Sequence, residues 1–386
     1  MDFSLNSEQQ SLIDAVDQTS SAFDDDYWSG LDRSGDFPEA FFQAMAAGGW
    51  LGMVLPEAYG GSGLGVTEAA LMMTQVASRG GMAAASSIHM NIFGPKSLVA
   101  HATPEQQKRW LPDIIAGKTK MCFAVTEPNS GLDTTRLQTT ATLKGDHYQV
   151  SGHKVWISAA QVAAKVMMIA RTAPRDDANP TAGLSLFFTD LDRSKVEIRE
   201  IDKMGRSAVD TNQLFIDGLE IPVEDLVGEE GKGFRYLLQS LNPERVLLAS
   251  EAIGIGLDAL RRATQYAKDR VVFDRPIGQN QSIQHPLAAG WARLQAARLM
   301  TLNAAGLYDQ GKPCGVEANA AKYLAAEAGV DVCRQAMATH GGMGYSREYQ
   351  IERLYREIMI PYLAPVSQQL VLCYLAERAL GLPKSY

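Results

Sequence analysis

The spacing of apolar residues changes twice along this chain of 386 residues, and that change limits its fold more than any other feature. Over residues 7–117 apolar side chains recur every three to four positions, a spacing typical of amphipathic helices. Between about residues 118 and 229 they alternate with polar side chains, which indicates strands that bury one face. From residue 233 onward the helical spacing returns.

Local signals support these three regions. Thr103 followed by Pro104 predicts a helix start, since threonine is a good N-cap and proline suits the first helical position. Gly145-Asp146 predicts a tight hairpin turn between two strands. Helices are predicted over residues 66–78 in the first region and over residues 237–269 in the last.

An order of helices, strands and helices predicts an α+β fold, with a small barrel or sandwich between two helical layers. A chain of this length also exceeds what one hydrophobic core usually organises. We expect an N-terminal α-helical domain over residues 1–117, a middle β domain over 118–230 and a C-terminal α-helical bundle domain over 231–386.

Charge and composition argue against several classes of protein. The formal charge of -8, without a Lys/Arg run, argues against nucleic acid or an anionic membrane as the partner. Residues 1–10 lack a basic segment followed by an apolar one, and no run of about eighteen apolar residues occurs, so we expect a cytoplasmic location. The cysteines at 122, 314, 333 and 373 form no CxxC pair, so we expect buried thiols and no metal site.

The sequence contains neither GxGxxG after an early strand nor GxxxxGK[ST], which argues against Rossmann and P-loop proteins. Four other segments are specific: FAVTEPNSGLD at 123–133, SGHKVWIS at 151–158, RVVFDRPIGQNQ at 270–281, and HGGMGY at 340–345 with Arg356-Glu357 after it. Through them the chain resembles the acyl-CoA dehydrogenase family over essentially its full length. The resemblance implies that family's fold, a helical domain, a β-barrel domain and a C-terminal four-helix bundle, with FAD as the cofactor.

The first two segments resemble the flavin-facing strands of the family. The resemblance puts Phe123, Val125 and Thr126 against the isoalloxazine ring. It also stacks Trp156 along the ring and brings the Ser158 hydroxyl near N5, the atom that receives hydride. An edge strand with a Pro-Asn turn and a tryptophan that only packs in the core are the alternatives.

The third segment resembles the part of the family that binds the dinucleotide end of FAD. There Arg270 would offer a planar charged fork to the pyrophosphate, and Phe273 and Gln281 would cap the adenosine of a neighbouring subunit's FAD. This implies a homo-oligomer, most often a tetramer. The alternative is an arginine that is only a solvated charge at a helix end. In the fourth segment, Gly341 and Gly342 would let the backbone approach the dinucleotide.

Removal of an α-proton from a thioester needs a carboxylate in a desolvated pocket, where its pKa rises towards neutrality. Most family members supply this glutamate from a Y-E-G-T loop, where the present chain has Pro365. A minority, including isovaleryl-CoA and long-chain enzymes, place it on a central helix before an arginine, which corresponds here to Glu244 and Arg245. The resemblance thus predicts Glu244 as the catalytic base. The alternative is that Asn242 and Pro243 open a helix whose dipole Glu244 complements.

Two positions depart from the family pattern. Pro365 has no backbone N–H, whereas the family uses that group in an oxyanion hole for the thioester carbonyl. Either Ala364 or Val366 supplies the N–H instead, or the reaction differs. Leu132 stands where the family usually has serine, which removes a polar contact near the flavin phosphate or the thioester. Together with Arg245, we assign Leu132 and Pro365 to the substrate site.

The resemblance also assigns Ser367 and Gln369, which follow the proline loop, to the cofactor site. The function it implies is dehydrogenation of an acyl-CoA thioester, with electrons leaving to an electron-transfer flavoprotein. Two alternatives stay open: a flavin oxidase, monooxygenase or acyl-CoA lyase on the same fold, and a non-catalytic subunit of a hetero-oligomer. Residues 87–91 are a candidate either for lining the acyl side of the site or for core packing.

Overall fold

The computed structural model describes residues 4–385, so the outermost ends of the predicted first and third domains lie outside the described residues. The first helices are α1 Ser7–Ser20, α2 Asp25–Ser34, α3 Glu39–Ala47, α4 Val66–Phe93, α5 Pro95–His101 and α6 Pro104–Ile115. The main strands are β1 Met121–Ala124, β2 Thr140–Lys144, β3 His147–Ser158, β4 Lys165–Arg171, β5 Leu184–Asp190, β6 Val196–Glu200, β7 Thr211–Pro222 and β8 Leu226–Val227. The last part holds α7 Gly233–Asp269, β9 Val271–Val272, β10 Arg275–Pro276, α8 Gln281–Asp309, α9 Gly315–His340, α10 Ile351–Glu357, α11 Met359–Leu363 and α12 Gln368–Arg378.

The order of helices, strands and helices confirms the predicted α+β class. The start of α6 is also as predicted, since the Thr103 side chain accepts a hydrogen bond from the Gln106 N–H at 3.2 Å and Pro104 occupies the first turn. One difference concerns α4, which was predicted to end near residue 78 and continues to Phe93.

The extension of α4 depends on a break at Gly81, where the backbone has φ 70° and ψ -158°. The buried Glu357 carboxylate accepts hydrogen bonds there from the N–H groups of Met82 at 2.6 Å and Ala83 at 3.3 Å. A carboxylate satisfies the free N–H groups at the start of a helix and complements its dipole. The second half of α4 is therefore started by a residue 275 positions away in sequence.

The middle layer is one eight-stranded sheet in the order β6-β7-β3-β2-β4-β5-β8, with β1 paired parallel to β4. Strands β2 and β3 form a hairpin in which Lys144 pairs with His147, so Gly145-Asp146 makes the predicted turn. The sheet has an apolar core of its own, which includes Val150, Val166 and Phe187. This core is separate from the larger helical core.

Helix α7 is the centre of the last layer and packs against α4, α8 and α9. Pro243 lies within it, about three turns after Gly233. The interpretation of Asn242 and Pro243 as the opening of a helix is therefore wrong. Glu244 lies far from the N-terminal end of α7, where the dipole would favour a carboxylate.

Other expectations concern cysteines and membrane helices. Cys122, Cys314 and Cys333 are buried as predicted, whereas Cys373 is half-buried, and all four are free thiols. Over residues 4–385 no group of three or more His, Cys, Asp or Glu side chains is arranged to hold a metal ion. No single helix in that range has the length and apolar character to cross a membrane; only the bent pair of residues 351–363 and 368–378 meets those two criteria together.

A buried ion pair joins the strands that face the helical layers. The Lys154 ammonium donates to the Glu127 carboxylate at 2.9 Å, to the Val125 carbonyl at 3.1 Å and to the Ile169 carbonyl at 2.8 Å. Burial lowers the pKa of Lys154 to about 8, although the Glu127 carboxylate opposes the shift. Glu127 in turn accepts from the Thr139 N–H at 3.0 Å. One side chain thus links three separate segments of the β domain.

We predict that Lys154→Met lowers the free energy of unfolding by about 3 to 5 kcal/mol, because it leaves the Glu127 carboxylate buried and unpaired. Lys165→Met is the matched control, since the partner of Lys165 is the exposed Asp190, and it should cost at most about 1 kcal/mol. Urea unfolding followed by circular dichroism measures both. Equal losses in the two variants would contradict the role given to Lys154.

Candidate active site

A deep cavity lies where the sheet meets α4 and α7, and we call it the inner cavity. It contains about 1090 Å³ of empty space, part of which is open solvent at its mouth. Its sheet-side wall is formed by Phe123, Val125, Thr126, Thr134, Trp156, Ile157, Ser158 and Arg206. Its helical side is formed by Ser86, His89, Met90, Phe93, Phe234, Leu237, Leu241, Glu244, Leu248, Glu251, Ile360, Ala364 and Pro365. Seven of the predicted site residues therefore meet in one cavity.

Trp156 is unusual for a residue in a strand. Its backbone lies in the left-handed region, with φ 64°, at an irregularity in the pairing of β3 with β7. Its indole is 61% exposed although it lines a cavity. A strained, uncovered aromatic side chain is typical of a site that stacks a planar ligand. The alternative of a tryptophan that only packs in the core is therefore wrong.

The first two motifs are held side by side. The Val155 N–H donates to the Thr126 carbonyl at 3.0 Å, and the Lys154 ammonium donates to the Val125 carbonyl. These bonds align the strand that carries Phe123 with the strand that carries Ser158. Together with Trp156 they form a wall of backbone, hydroxyl and aromatic groups that suits an isoalloxazine ring.

Glu244 faces this wall from α7. The residue is 9% exposed, and over residues 4–385 its carboxylate makes no hydrogen bond or ion pair. Burial raises the pKa of Glu244 above its ordinary value, while the nearby charges of His89 and Arg245 act in the opposite direction. A buried carboxylate without a partner is costly in a protein core, and groups of this kind cluster at functional sites.

Beyond Glu244 the inner cavity is polar. His89 Nδ1 lies 2.6 Å from Glu251 Oε1, and both side chains are buried. Burial opposes protonation of His89, but the Glu251 carboxylate outweighs it and raises the His89 pKa above its ordinary value. The Arg206 guanidinium donates to Ser86 Oγ at 3.2 Å and to Ser158 Oγ at 3.0 Å. This end of the cavity therefore carries charges of both signs.

A second depression, the outer groove, adjoins the inner cavity and contains about 870 Å³ of empty space. The two share the lining residues Thr134 and Leu241. Leu132 and Arg245, both assigned to the substrate site from the sequence, line the outer groove. Glu244 and Arg245 are consecutive on α7, so one lines the cavity and the other the groove.

The loop that carries Pro365 is braced by Lys322. This buried ammonium on α9 donates to the Val366 carbonyl at 2.8 Å and to the Gln368 side chain at 2.9 Å, and burial lowers its pKa to about 8. The Ala364 N–H already donates to the Ile360 carbonyl at 2.8 Å. The Val366 N–H has no hydrogen-bond partner among residues 4–385.

The other predicted cofactor residues line neither the inner cavity nor the outer groove, both of which are formed by side chains within residues 4–385. Arg270 follows the last turn of α7, Phe273 is 93% exposed in the turn between β9 and β10, and Gln281 begins α8. Gly341 and Gly342 follow α9, whose buried His340 stacks on Tyr266 of α7 with ring centroids 4.3 Å apart. Ser367 caps α12 by accepting from the Leu370 N–H, and Gln369 is exposed in its first turn.

Sequence reasoning did not single out Ser86, Arg206 or Glu251, three of the polar residues that line the cavity. Glu251 carried a signal, since it continues the stripe of Leu237, Leu241, Glu244 and Leu248 along one face of α7. Ser86 follows the Gly81 break, and Arg206 lies in a loop with φ 57°; no pattern in the sequence points to either residue. Of residues 87–91, His89 and Met90 line the cavity, whereas Asn91 donates to the Thr119 carbonyl.

The fold and the cavity define an oxidoreductase of the acyl-CoA dehydrogenase class. Family models for the N-terminal, middle and C-terminal domains of acyl-CoA dehydrogenase match residues 6–118, 122–219 and 231–364. The acyl-CoA dehydrogenase FadE12 of Mycobacterium tuberculosis is 34% identical over 392 residues, covering 100% of this chain and 99% of that protein. The chain belongs to the acyl-CoA dehydrogenase family, whose members are FAD oxidoreductases.

Two further proteins are similar over most of their length. The caffeyl-CoA reductase-Etf complex subunit CarC of Acetobacterium woodii is 34% identical over 331 residues, 86% of each chain. A structure of glutaryl-coenzyme A dehydrogenase with glutaryl-CoA has a TM-score of 0.94 and 30% identity, and covers 100% of this chain and 98% of that one. The three-domain fold expected from the resemblance is thereby confirmed.

We predict that Lys322→Met loosens the proline loop, because it removes bonds from a buried cation to the Val366 carbonyl and the Gln368 side chain. Such bonds contribute about 1.5–3 kcal/mol each. Hydrogen exchange of the Ala364 and Leu370 amides, which donate to the Ile360 carbonyl and the Ser367 hydroxyl, should accelerate by about tenfold or more, as mass spectrometry can measure. Lys312→Met, at an exposed lysine before α9, is the control. Unchanged exchange in Lys322→Met would contradict the bracing role.

Proposed function

We propose that this protein dehydrogenates an acyl-CoA thioester between its α and β carbons, with Glu244 as the base that removes the α-proton. The single observation that carries the proposal is the Glu244 carboxylate, buried and without a partner, facing the wall of Trp156 and Ser158. A residue that served only the structure would be paired. The similarity to a glutaryl-coenzyme A dehydrogenase that holds glutaryl-CoA supports the ligand class.

FAD is the cofactor that these residues fit. The uncovered indole of Trp156 supplies a stacking surface, and Thr126 and Ser158 supply hydroxyl groups. Phe123 and Val125 complete an apolar support for the ring. When bound, FAD supplies the acceptor for the hydride that leaves the β carbon. We assign Arg270, Phe273, Gln281, Gly341, Gly342, Ser367 and Gln369 to the dinucleotide end, with the first three serving a neighbouring subunit.

The substrate is oriented by the two adjoining spaces. The acyl chain occupies the inner cavity, the thioester lies beside Glu244, and the pantetheine arm leaves through the outer groove past Leu132 and Arg245. The loop of Pro365 closes this junction. Of its neighbours, Val366 has the N–H without a partner, so we assign it the hydrogen bond to the thioester carbonyl.

The Glu244 carboxylate removes the α-proton, and the surrounding apolar side chains exclude water from it. A base with a raised pKa holds a proton more strongly than an exposed glutamate does, which suits a weakly acidic thioester α-carbon. The nearby charges of His89 and Arg245 limit the rise of the Glu244 pKa, because each favours the ionised carboxylate. The proton stays on Glu244 until the product leaves.

The proposed dehydrogenase function also implies an electron acceptor and an oligomeric state. We propose an electron-transfer flavoprotein as the electron acceptor, because the related CarC is named as a subunit of a reductase-Etf complex. We also propose a homotetramer, which would bring the exposed Phe273 against a neighbouring subunit's FAD. We also propose a cytoplasmic location and the domain division at residues 1–117, 118–230 and 231–386.

The test of this proposal is reduction of the bound flavin. Anaerobic titration of the yellow holoenzyme with straight, branched and aromatic acyl-CoAs should bleach the oxidised flavin absorbance with at least one class. Glu244→Gln keeps the size of the side chain and removes the base, so bleaching should slow by about a hundredfold or more. Glu229→Gln, at an exposed glutamate before α7, is the control.

Tight flavin binding without bleaching by any acyl-CoA would sink the proposal and favour a non-catalytic subunit. Bleaching that is undiminished in Glu244→Gln would place the base elsewhere. Rapid oxygen consumption by the reduced enzyme would instead identify an oxidase or monooxygenase on this fold.

We predict that the rate of flavin reduction increases with pH through the pKa of Glu244. Only the deprotonated carboxylate accepts a proton, and burial places its pKa above the ordinary 4.5. The rate should therefore fall as the pH is lowered from about 8 to about 5. Stopped-flow measurement of a single anaerobic turnover follows this directly. A rate that is flat or increases towards low pH would contradict the assignment.

A further inference from the structure

Four polar side chains form the end of the inner cavity that lies beside Glu251 of α7, away from the outer groove. We call Ser86, His89, Arg206 and Glu251 the polar floor. Each is less than one-tenth exposed, and each lines the cavity. They come from α4, from α7 and from the loop before β7, so three separate parts of the chain converge on this point.

The polar floor has hydrogen-bonding capacity that the protein does not use. Glu251 Oε2 and Arg206 Nε are buried without any partner over residues 4–385. His89 uses Nδ1 on Glu251, and its Nε2 has no hydrogen-bond partner in the same range. An ion pair that served only packing would have its remaining atoms satisfied, because unpaired buried polar atoms are rare in native structures. Two such buried atoms, together with an imidazole nitrogen without a hydrogen-bond partner, indicate a missing polar partner at this end of the cavity.

We propose that the polar floor is a binding subsite for an oxygen-bearing substituent, a hydroxyl or a carbonyl, at the far end of a short acyl chain. The inference rests on the proposed function, because it takes Glu244 as the point where the α-carbon lies. The oxygen of such a substituent accepts hydrogen bonds from Arg206 and His89. An acyl chain that ends in a methyl group would leave these donors without partners.

The distance along α7 between Glu244 and the polar floor sets the length of the acyl chain. Glu244 and Glu251 lie on one stripe of α7 and are seven residues apart, which is a rise of about 10.5 Å. An extended acyl chain of about six carbons, with a hydrogen bond of ~2.8 Å at its end, spans this distance. Leu248 lies between them and contacts the middle of the chain, where no polar group is expected.

A neutral oxygen fits the floor better than a carboxylate. The Glu251 charge is paired with His89, and the Arg206 charge already interacts with Asp210, Glu251 and Glu357. A third carboxylate would enter a cavity that holds Glu244 and Glu251, and like charges in a desolvated site repel strongly. The positive charges of the floor already interact with carboxylates of the protein, so its free donors suit a neutral oxygen.

The test compares inert ligands that bind without being oxidised. We would measure, by isothermal titration calorimetry on the FAD holoenzyme, the dissociation constants of the thioethers hexyl-CoA and ω-hydroxyhexyl-CoA. The hydroxyl ligand should bind at least about tenfold more tightly, because a site built to hydrogen-bond a hydroxyl discriminates against the analogue that lacks it. The double variant His89→Leu, Glu251→Leu replaces the pair with apolar groups and should lose or reverse this preference.

Ser86→Ala is a milder second variant, in case the double variant fails to fold, and should reduce the preference by loosening Arg206. Equal dissociation constants for the two thioethers in the native protein would overturn the inference. So would a loss of affinity in the variants that is equal for both ligands, since that is what a purely structural role produces. Tighter binding of the carboxylate-ended analogue would replace the neutral oxygen with a dicarboxylic acyl group.

The two proposals fail in different ways. If acyl-CoAs bleach the flavin through Glu244 and the thioethers are not distinguished, only the subsite is wrong. If no acyl-CoA bleaches the flavin and neither thioether binds, the proposed function is wrong and the subsite falls with it.

Discussion

The buried ammonium of Lys154 is the interaction on which the site depends. It holds the Val125 and Ile169 carbonyls and the Glu127 carboxylate, and so it fixes β3, β4 and the segment after β1 relative to one another. Buried ion pairs add little net stability, but breaking one leaves a costly unpaired charge. The role of the Lys154 ion pair here is to align the strands, because it sets Thr126 beside the strand that carries Trp156. Without that register the wall opposite Glu244 would not form.

The helical side of the site depends on α7 and on the broken helix α4. One stripe of α7 carries Leu241, which lines both spaces, then Glu244 and then Glu251. The break at Gly81, capped by Glu357, directs His89 towards the same space. Under the proposed function, a ligand that follows α7 from Leu241 meets first the base and then the polar floor. The proposal thus assigns its reaction and its specificity to different turns of one helix.

Sequence patterns predicted what local chemistry determines. The spacing of apolar residues predicted the three layers. The helix start at Thr103 and the hairpin turn at Gly145-Asp146 were predicted correctly, because short-range hydrogen bonds determine both. The continuation of α4 was not predictable, because its cap is Glu357, far away in sequence. The position of Glu244 in the cavity required the family resemblance, and Arg206 gave no signal because its conformation depends on tertiary contacts.

The central claim is that Glu244 exchanges a proton with the α-carbon of an acyl thioester. The most direct measurement is deuterium incorporation at C2 of hexanoyl-CoA in D₂O, with the holoenzyme reduced by dithionite so that hydride transfer cannot occur. The account predicts incorporation by the native protein and its loss in Glu244→Gln. No incorporation by the native protein, or equal incorporation by both, would contradict the claim that this carboxylate is the base.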